Sequence, residues 1–377
     1  MQSNIQTDTN IHADTNFESR MNSTAMQLSR RRALQCVASC AAVGWGNSPW
    51  QLHAEDFPPR TDLDELYDAD VDRAVRGGLA FLIARQNQDG TFQSADQGRW
   101  VGVCSLVGLA LLSRGVRSGV GEAGLALQRT ARYVLSQVQA SGFLSATGET
   151  SHGPMYDHGF GTLFLAELAG TDRQLNVRSK LAAAVELIVR TQNKAGGWRY
   201  NPAPEDADLS VTVCQMMALR AARNAGIGVA KETIDRAVDY VRRSQNADGG
   251  FMYQYRLAGG ESRFPLTAAA VVALYSAGIY EGDEIESAFV YLRANATANS
   301  SLDRNSFFYY AHYYSVQCFW HRGGESWQPW YASLKKNLLA LRNSQGGWFD
   351  YNSVEYGTAM ACLILNMPRT LLPIFQR

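Results

Sequence analysis

The sequence predicts an all-α fold, an α6/α6 toroid in which six helix hairpins close into a ring, six inner helices inside six outer ones. Three observations carry this: a turn motif that recurs at a near-constant interval, apolar patterning that alternates between one-sided and all-round, and an apolar C-terminus. Repetition at a fixed period marks a stack of equivalent supersecondary units.

Four segments place Gln six residues before an aromatic ring, with Gly just before the ring (Thr91 intervenes in the first): Gln86 to Phe92, Gln137 to Phe143, Gln192 to Trp198 and Gln245 to Phe251. A fifth, Arg342 to Trp348, keeps the spacing with Arg in the Gln place. Successive intervals are 51, 55, 53 and 97 residues, the last close to two units, so one copy near Arg293 has lost the motif. The Asp-Gly-Gly versions supply residues that tolerate left-handed backbone and stop a helix. Six units of about 52 residues each fill the chain from Glu55 onward and leave nothing for a second domain.

Each unit holds two helical patterns. The first set spans Val71–Gln86, Leu125–Gln137, Val177–Gln192, Glu232–Gln245, Glu284–Arg293 and Trp330–Arg342. Apolar residues recur there every three or four positions, as in Leu181, Ala184, Val185 and Ile188, with charge on the opposite face, so these helices lie outside. The second set spans Val101–Leu112, Gly159–Leu168, Val211–Leu219, Leu266–Ala277, Phe307–Trp320 and Gly357–Leu365. It is apolar nearly all round and must be buried on several sides. An open array needs a polar terminal cap, whereas this chain ends Leu371-Leu372-Pro373-Ile374-Phe375, which favours closure around a central cavity.

Composition bounds the function. The 377 residues are 46% hydrophobic with 35 basic and 35 acidic side chains, so no charge excess favours nucleic acid or an anionic membrane surface. No apolar run reaches the length of a spanning helix; looser membrane association stays open. Residues 1–54 read as a polar extension followed by an address. Ser29-Arg30-Arg31-Arg32-Ala33-Leu34-Gln35 resembles the twin-arginine export consensus, and an apolar stretch from Cys36 to Trp45 follows. Leu52-His53-Ala54 could serve as the cleavage site, Val37-Ala38-Ser39-Cys40 also fits an acylation box, and Met26 is an alternative start. Residues 55–377 then form the exported domain. Its four cysteines, Cys104, Cys214, Cys318 and Cys362, sit in apolar helical patterns and read as core residues rather than disulfide partners.

The Gln-to-Trp/Phe segments with Asp-Gly-Gly resemble the QW repeats of the prenyltransferase and squalene-oxidase group, which includes squalene–hopene cyclase. The resemblance covers about Asp70 to Met367 and implies the terpenoid cyclase and protein prenyltransferase toroid. It also implies that Gln86, Gln192, Gln245, Phe92, Trp198 and Phe251 stitch neighbouring helices together. In that family the central Asp of an Asp-x-Asp-Asp motif protonates an alkene. Here Asp206-Ala207-Asp208-Leu209 is the nearest match, with Asp208 in the acid's place and Leu209 where the last carboxylate belongs. Asp208-Leu209-Ser210 before an apolar run also reads as an N-cap, and the cap is the expected role, with little cyclase activity on squalene. The zinc ligands of protein prenyltransferases have no counterpart, and the cyclases of this family normally use two helical domains.

Other residues carry alternatives. Asp157 and His158 open the second inner helix as an acid–base pair, or Asp157 is a cap. Asp157, Asp206, Asp208 and Glu355 all precede or begin inner helices, an end-on set of carboxylates that would suit a carbohydrate-active enzyme. Trp100, Tyr156, Phe160, Phe308, Tyr309, His312, Tyr313 and Tyr356 are the expected ligand-cavity side chains, since so many rings on inner helices cannot all face the outer layer. Cys318, His312 and His321 could form a zinc site but read more simply as buried Cys and exposed His, so no metal or cofactor is expected. Three functions remain: an isoprenoid-handling enzyme or degenerate relative, a non-catalytic toroid binding an apolar molecule or an extracytoplasmic protein, and a carbohydrate-active enzyme. If Arg30 and Arg31 direct export, replacing both with Lys leaves precursor in the cytoplasm on fractionation; undiminished export overturns the assignment.

Overall fold

Four left-handed glycines set the plan, because each lies in the turn that leads from an outer helix to the next inner one. The structure is a computed structural model that describes residues 66–146, 153–169, 171, 175–255, 260–296 and 307–376. The segment read from sequence as an export signal falls outside them, as does the turn expected after Arg293 except for its first residues to 296. Among the described residues there are twelve α-helices and no strand. In chain order they are α1 (Ala69–Ala84), α2 (Val101–Ser113), α3 (Gly121–Ser136), α4 (Pro154–Leu168), α5 (Val177–Arg190) and α6 (Leu209–Asn224). The second half continues with α7 (Lys231–Arg243), α8 (Phe264–Ser276), α9 (Asp283–Ala294), α10 (Phe308–Arg322), α11 (Gly324–Leu341) and α12 (Val354–Leu365).

Even-numbered helices form the inner ring. Each packs on the next, and α12 packs on α2, so the ring is closed as the apolar C-terminus implied. Every residue of α2 is buried, whereas α7 buries only Thr233, Ala237, Val238, Tyr240 and Val241 along one stripe. All four cysteines of this region are free and buried. No helix among the described residues is long and apolar enough to cross a membrane.

The turn motif locks one unit to the next. Gly90, Gly142, Gly196 and Gly249 have φ of +91°, +82°, +99° and +83°. An added Cβ would come within 2.3, 2.2, 2.1 and 2.3 Å of the carbonyl oxygens of Arg129, Ala183, Arg236 and Ser287, each in the next outer helix. Glycine is therefore required twice over, by backbone conformation and by space. The Gln amide adds a second tie. Gln86 Nε2 donates to Thr130 Oγ1 (2.8 Å) and Ala126 O (3.0 Å), Gln192 Nε2 to Thr233 O (2.9 Å) and Gln245 Nε2 to Glu284 O (2.8 Å). The ring residue then faces inward: the amides of Trp198, Phe251 and Trp348 donate to Thr212, Thr267 and Thr358 Oγ1 at 3.1, 2.9 and 2.9 Å.

The second unit corrects the motif's register. Its left-handed Gly142 lies two residues before Leu144, as Gly196 lies before Trp198, and the backbone bridge pairs Val138 with Leu144. Val138 and Leu144, not Gln137 and Phe143, thus occupy the motif positions. Gln137 instead donates from Nε2 to Ser136 Oγ at 2.9 Å on the surface. Backbone conformation fixes the register, and spelling misleads where a single Gly directly precedes a ring.

Closure uses different chemistry. Arg342 Nε donates to Gly346 O at 3.0 Å, and its guanidinium lies where a Cβ on Gly77 of α1 would be, 2.0 Å from Nη2. Arg85 Nε meets the buried Glu355 Oε1 at 2.8 Å, and Ser94 donates to its other oxygen. The C-terminal segment crosses the C-terminal ends of the inner helices. Asn366 Nδ2 and Leu371 N donate to Ser113 O at 3.0 and 3.1 Å, and Ile374 N to Glu167 Oε1 at 3.1 Å.

Gly249→Ala is expected to cost about 2 kcal/mol or more, from the left-handed backbone plus the contact with Ser287 O, measured by denaturant melting. Deletion from Trp330 onward opens the ring and should abolish cooperative melting; a truncated chain that still melts cooperatively would indicate an open solenoid.

Candidate active site at the mouth of the inner ring

Because every hairpin repeats the same direction, the inner helices start at one end of the ring. Six aligned N-termini present partial positive charge there, which favours carboxylates in the first turns. Asp157, Asp208 and Glu355 are buried at this end, while Asp206 is exposed at the rim.

Asp208 is the N-cap of α6. Its Oδ1 accepts from Val211 N (2.9 Å) and Ser210 Oγ (2.6 Å), so the expected cap is present. Its Oδ2 makes no hydrogen bond of normal geometry. Arg199 Nε lies 3.9 Å from that oxygen and Arg199 Nη1 lies 3.3 Å from Asp206 Oδ2. Burial pushes the Asp208 carboxyl above its ordinary value, opposed by the bonds from Ser210 and Val211, by Arg199 and by the Tyr253 hydroxyl. Arg199 lies 5.0 Å from the Tyr200 ring centre and 5.7 Å from that of Tyr253, and the two phenols are hydrogen-bonded to each other.

The wall of the mouth is aromatic. Tyr156 donates from its hydroxyl to Ser210 Oγ at 2.7 Å, and burial, with Tyr310 and Asp208 nearby, pushes its phenol well up. Trp100, Tyr156, Tyr200, Tyr253, Tyr310 and Tyr356 are all half-buried there. One turn deeper, Phe160 on α4 meets Tyr313 on the opposite helix α10 at 6.1 Å between ring centres. Tyr314 and Phe375 are fully buried beside Tyr313, with ring centres 5.1 and 6.1 Å from it. At that level the axis is filled by side chains, a correction to the open central cavity expected from the helix pattern. Ring volume decides it: large phenols from opposite helices reach each other across the space that six helices enclose.

The remaining predicted residues divide. Tyr309 is buried at the start of α10, its ring against Phe308 at 5.2 Å. Phe308 and His312 meet edge to face with ring centres 4.5 Å apart, and His312 lies 6.0 Å from Trp330 of α11, so this stripe of α10 faces the outer layer. Asp157 Oδ1 accepts from Gly102 N at 2.7 Å and thereby caps the neighbouring α2. His158 accepts from Leu144 N at Nδ1 (3.1 Å) while Nε2 meets Ala184 O (3.1 Å), the place that Thr212, Thr267 and Thr358 take in other units. Burial lowers its pKa to about 4, so the ring is neutral at pH 7. Asp157 and His158 therefore engage different elements. Cys318 Sγ donates to Ala268 O (3.0 Å) and His321 packs on Tyr275, so Cys318, His312 and His321 do not converge. Among the described residues no group of three His, Cys, Asp or Glu side chains could hold a metal ion.

Arg199, Tyr200 and Tyr253 were not singled out as site residues. A signal existed: Ser94, Tyr200, Tyr253 and Asp350 each lie two residues beyond a motif ring, and Ser94, Tyr200 and Tyr253 touch Glu355, one another and Arg199.

Asp208 links the site to stability. With a folded pKa above the unfolded 3.8, the folded chain binds the proton more tightly, so stability falls as pH rises through that window. Asp208→Asn removes this penalty and still caps. Its stability relative to wild type should rise from pH 4 toward neutrality and then level off in thermal melts; a difference flat with pH contradicts the raised value.

Residues 82–301 match the family model described as the prenyltransferase alpha-alpha toroid domain. No curated protein matches the chain. Among solved structures, type II terpene cyclase MstE from Scytonema is similar at 14% identity and TM-score 0.57, over 79% of this chain and 98% of that one. A variant of that cyclase was solved with the substrate geranylgeranyl dihydroxybenzoate. Cellobiose 2-epimerase from Spirochaeta thermophila is similar at 13% identity and TM-score 0.62, over 82% and 98%. A D-mannose isomerase gives 12% identity and TM-score 0.59, over 82% and 99%. At such identities the likeness speaks to fold alone.

Proposed function

The chain belongs to the prenyltransferase alpha-alpha toroid family, and on that premise we propose that it handles an isoprenoid-type molecule at the mouth of its inner ring. In this reading Asp208 is the proton donor. The observation that carries it is the division of labour within one carboxyl: Oδ1 caps α6, while Oδ2 is buried among aromatic walls with Arg199 Nε 3.9 Å away and the Tyr253 hydroxyl beside it. A carboxyl whose hold on its proton is strengthened by burial can protonate an alkene, and the faces of Tyr156, Tyr200, Tyr253 and Tyr310 suit the cation that results. Leu209 supplies no second carboxylate, so Arg199 and the Tyr253 hydroxyl are left to stabilise the anion after proton transfer. The filled axis supports binding at the mouth rather than deep in the ring. Export through the twin-arginine route, proposed from Arg30 and Arg31, places this chemistry outside the cytoplasm.

A second reading is a carbohydrate ligand. The hydroxyls of Tyr310, Tyr313 and Tyr314 are buried without partners, at a cost of about 1–3 kcal/mol each, and a polyol reaching Tyr310 at the mouth would relieve that one. The similar folds of the epimerase and the isomerase fit this reading as well as the cyclase fits the first.

The test is incubation with a geranylgeranylated aromatic acid, followed by mass spectrometry and chromatography for a cyclised isomer. Wild type should form it, and Asp208→Asn should abolish it without lowering the melting temperature. Asp208→Ala should lose activity and also about 0.5–2 kcal/mol of stability through the cap. Turnover that survives in Asp208→Asn, or a wild type that converts only sugars, overturns the first reading.

A further inference from the structure

A second cavity lies outside the mouth, between the third and fourth turns. It measures about 140 Å³ and is lined by Ala195, Asp206, Ala207, Tyr240, Gln254 and Tyr255, together with Asn193. Its separation from the mouth follows from local backbone. Residues 206–208 and 253–255 run side by side, with Leu209 N bonded to Tyr253 O at 2.9 Å. Asp208 and Tyr253 turn to the mouth, while Asp206, Gln254 and Tyr255 turn to the cavity.

The lining selects a ligand class. Tyr240 and Tyr255 meet edge to face at 5.3 Å and, with Ala195 and Ala207, give an apolar side. Tyr240 is buried, and its hydroxyl has no hydrogen-bond partner, an arrangement that a ligand or water hydroxyl would complete. The polar side is Asp206 and Gln254, joined by Gln254 Nε2 to Asp206 Oδ2 at 3.1 Å.

Charge argues against an ion of either sign. Arg199 Nη1 at 3.3 Å offsets Asp206 and leaves little pull on a cation. An anion would find that carboxylate in the wall, while the nearby guanidinium groups are occupied: Arg243 Nη2 donates to Ala195 O at 2.8 Å and Arg236 to Asn193 O. What fits is a neutral molecule with hydroxyls on one edge and a hydrocarbon face on the other, in a space with room for several waters. That is the chemistry of a single sugar ring or a similar cyclic polyol.

We propose that this rim cavity binds a neutral polyhydroxylated molecule the size of one sugar ring, with Tyr240 and Tyr255 against its apolar face and Asp206 and Gln254 on its hydroxyls. The site is independent of the proposed chemistry at Asp208.

The test is saturation-transfer NMR on the full chain, with methyl glucoside, methyl galactoside, methyl mannoside, tetramethylammonium and inorganic phosphate as separate probes. At least one glycoside should bind. Tyr240→Phe, which keeps the ring and removes only the hydroxyl, should weaken it roughly three- to tenfold. Ala195→Leu should fill the cavity and abolish binding while the melting curve stays cooperative. Asp208→Asn should leave glycoside binding intact, which separates this site from the mouth. The proposal is overturned if no glycoside binds, if only tetramethylammonium or phosphate binds, or if binding is indifferent to both Tyr240→Phe and Ala195→Leu.

Discussion

Everything in this fold hangs on the contact between a left-handed glycine and the backbone of the next outer helix. At Gly90, Gly142, Gly196 and Gly249 a Cβ would lie within about van der Waals overlap of a carbonyl oxygen, 2.1 to 2.3 Å away. That approach sets the distance between successive hairpins. The Gln amide and the ring residue then set the angle, one bonding outward to the next helix and the other inward to the inner helix. Repeating one distance and one angle bends the row of hairpins until its ends meet, so ring closure is a consequence of local turns.

At the seam the ends are not repeats of each other, and the chemistry changes. Arg342 replaces the amide and reaches Gly77, and the Arg85–Glu355 pair takes a buried place in the contact. A buried ion pair adds little net stability but is costly to break on one side. It therefore suits a junction that must pair with a single partner. The C-terminal segment completes the closure from the opposite face, bonding to the ends of α2 and α4.

The same plan makes the mouth chemically distinct. Parallel inner helices bring their N-termini together, and carboxylates gather there to cap them. Glu355 spends both oxygens on neighbouring elements, and Asp157 gives Oδ1 to the neighbouring α2. Asp208 gives Oδ1 to its own α6, while Arg199 and the Tyr253 hydroxyl lie near the other oxygen. A structural cap and a reactive carboxyl are thus compatible in one side chain, since the two oxygens face different surroundings.

The sequence by itself determined the helices, their inner or outer place and the closure of the ring. Those properties follow from periodicity, glycine and apolar composition, which act over one or two turns of chain. The observed outer and inner helices begin and end within a few residues of the patterns, and Asp208 caps as its neighbours Leu209 and Ser210 implied. The site was less legible. Arg199 carries no local pattern; its role comes from Tyr253, a residue in another unit. His158 reads as a catalytic base in sequence but serves as the backbone acceptor that Thr212 is elsewhere, because Leu144 and α5 pack around it. Only tertiary structure decided that Val138 and Leu144 hold the motif register, that Phe160 and Tyr313 meet across the axis, and that Phe308 and His312 face outward. The first depends on the left-handed turn at Gly142, the other two on which side of an inner helix points inward; a helix buried nearly all round does not encode its own rotation, and packing against its neighbours sets it.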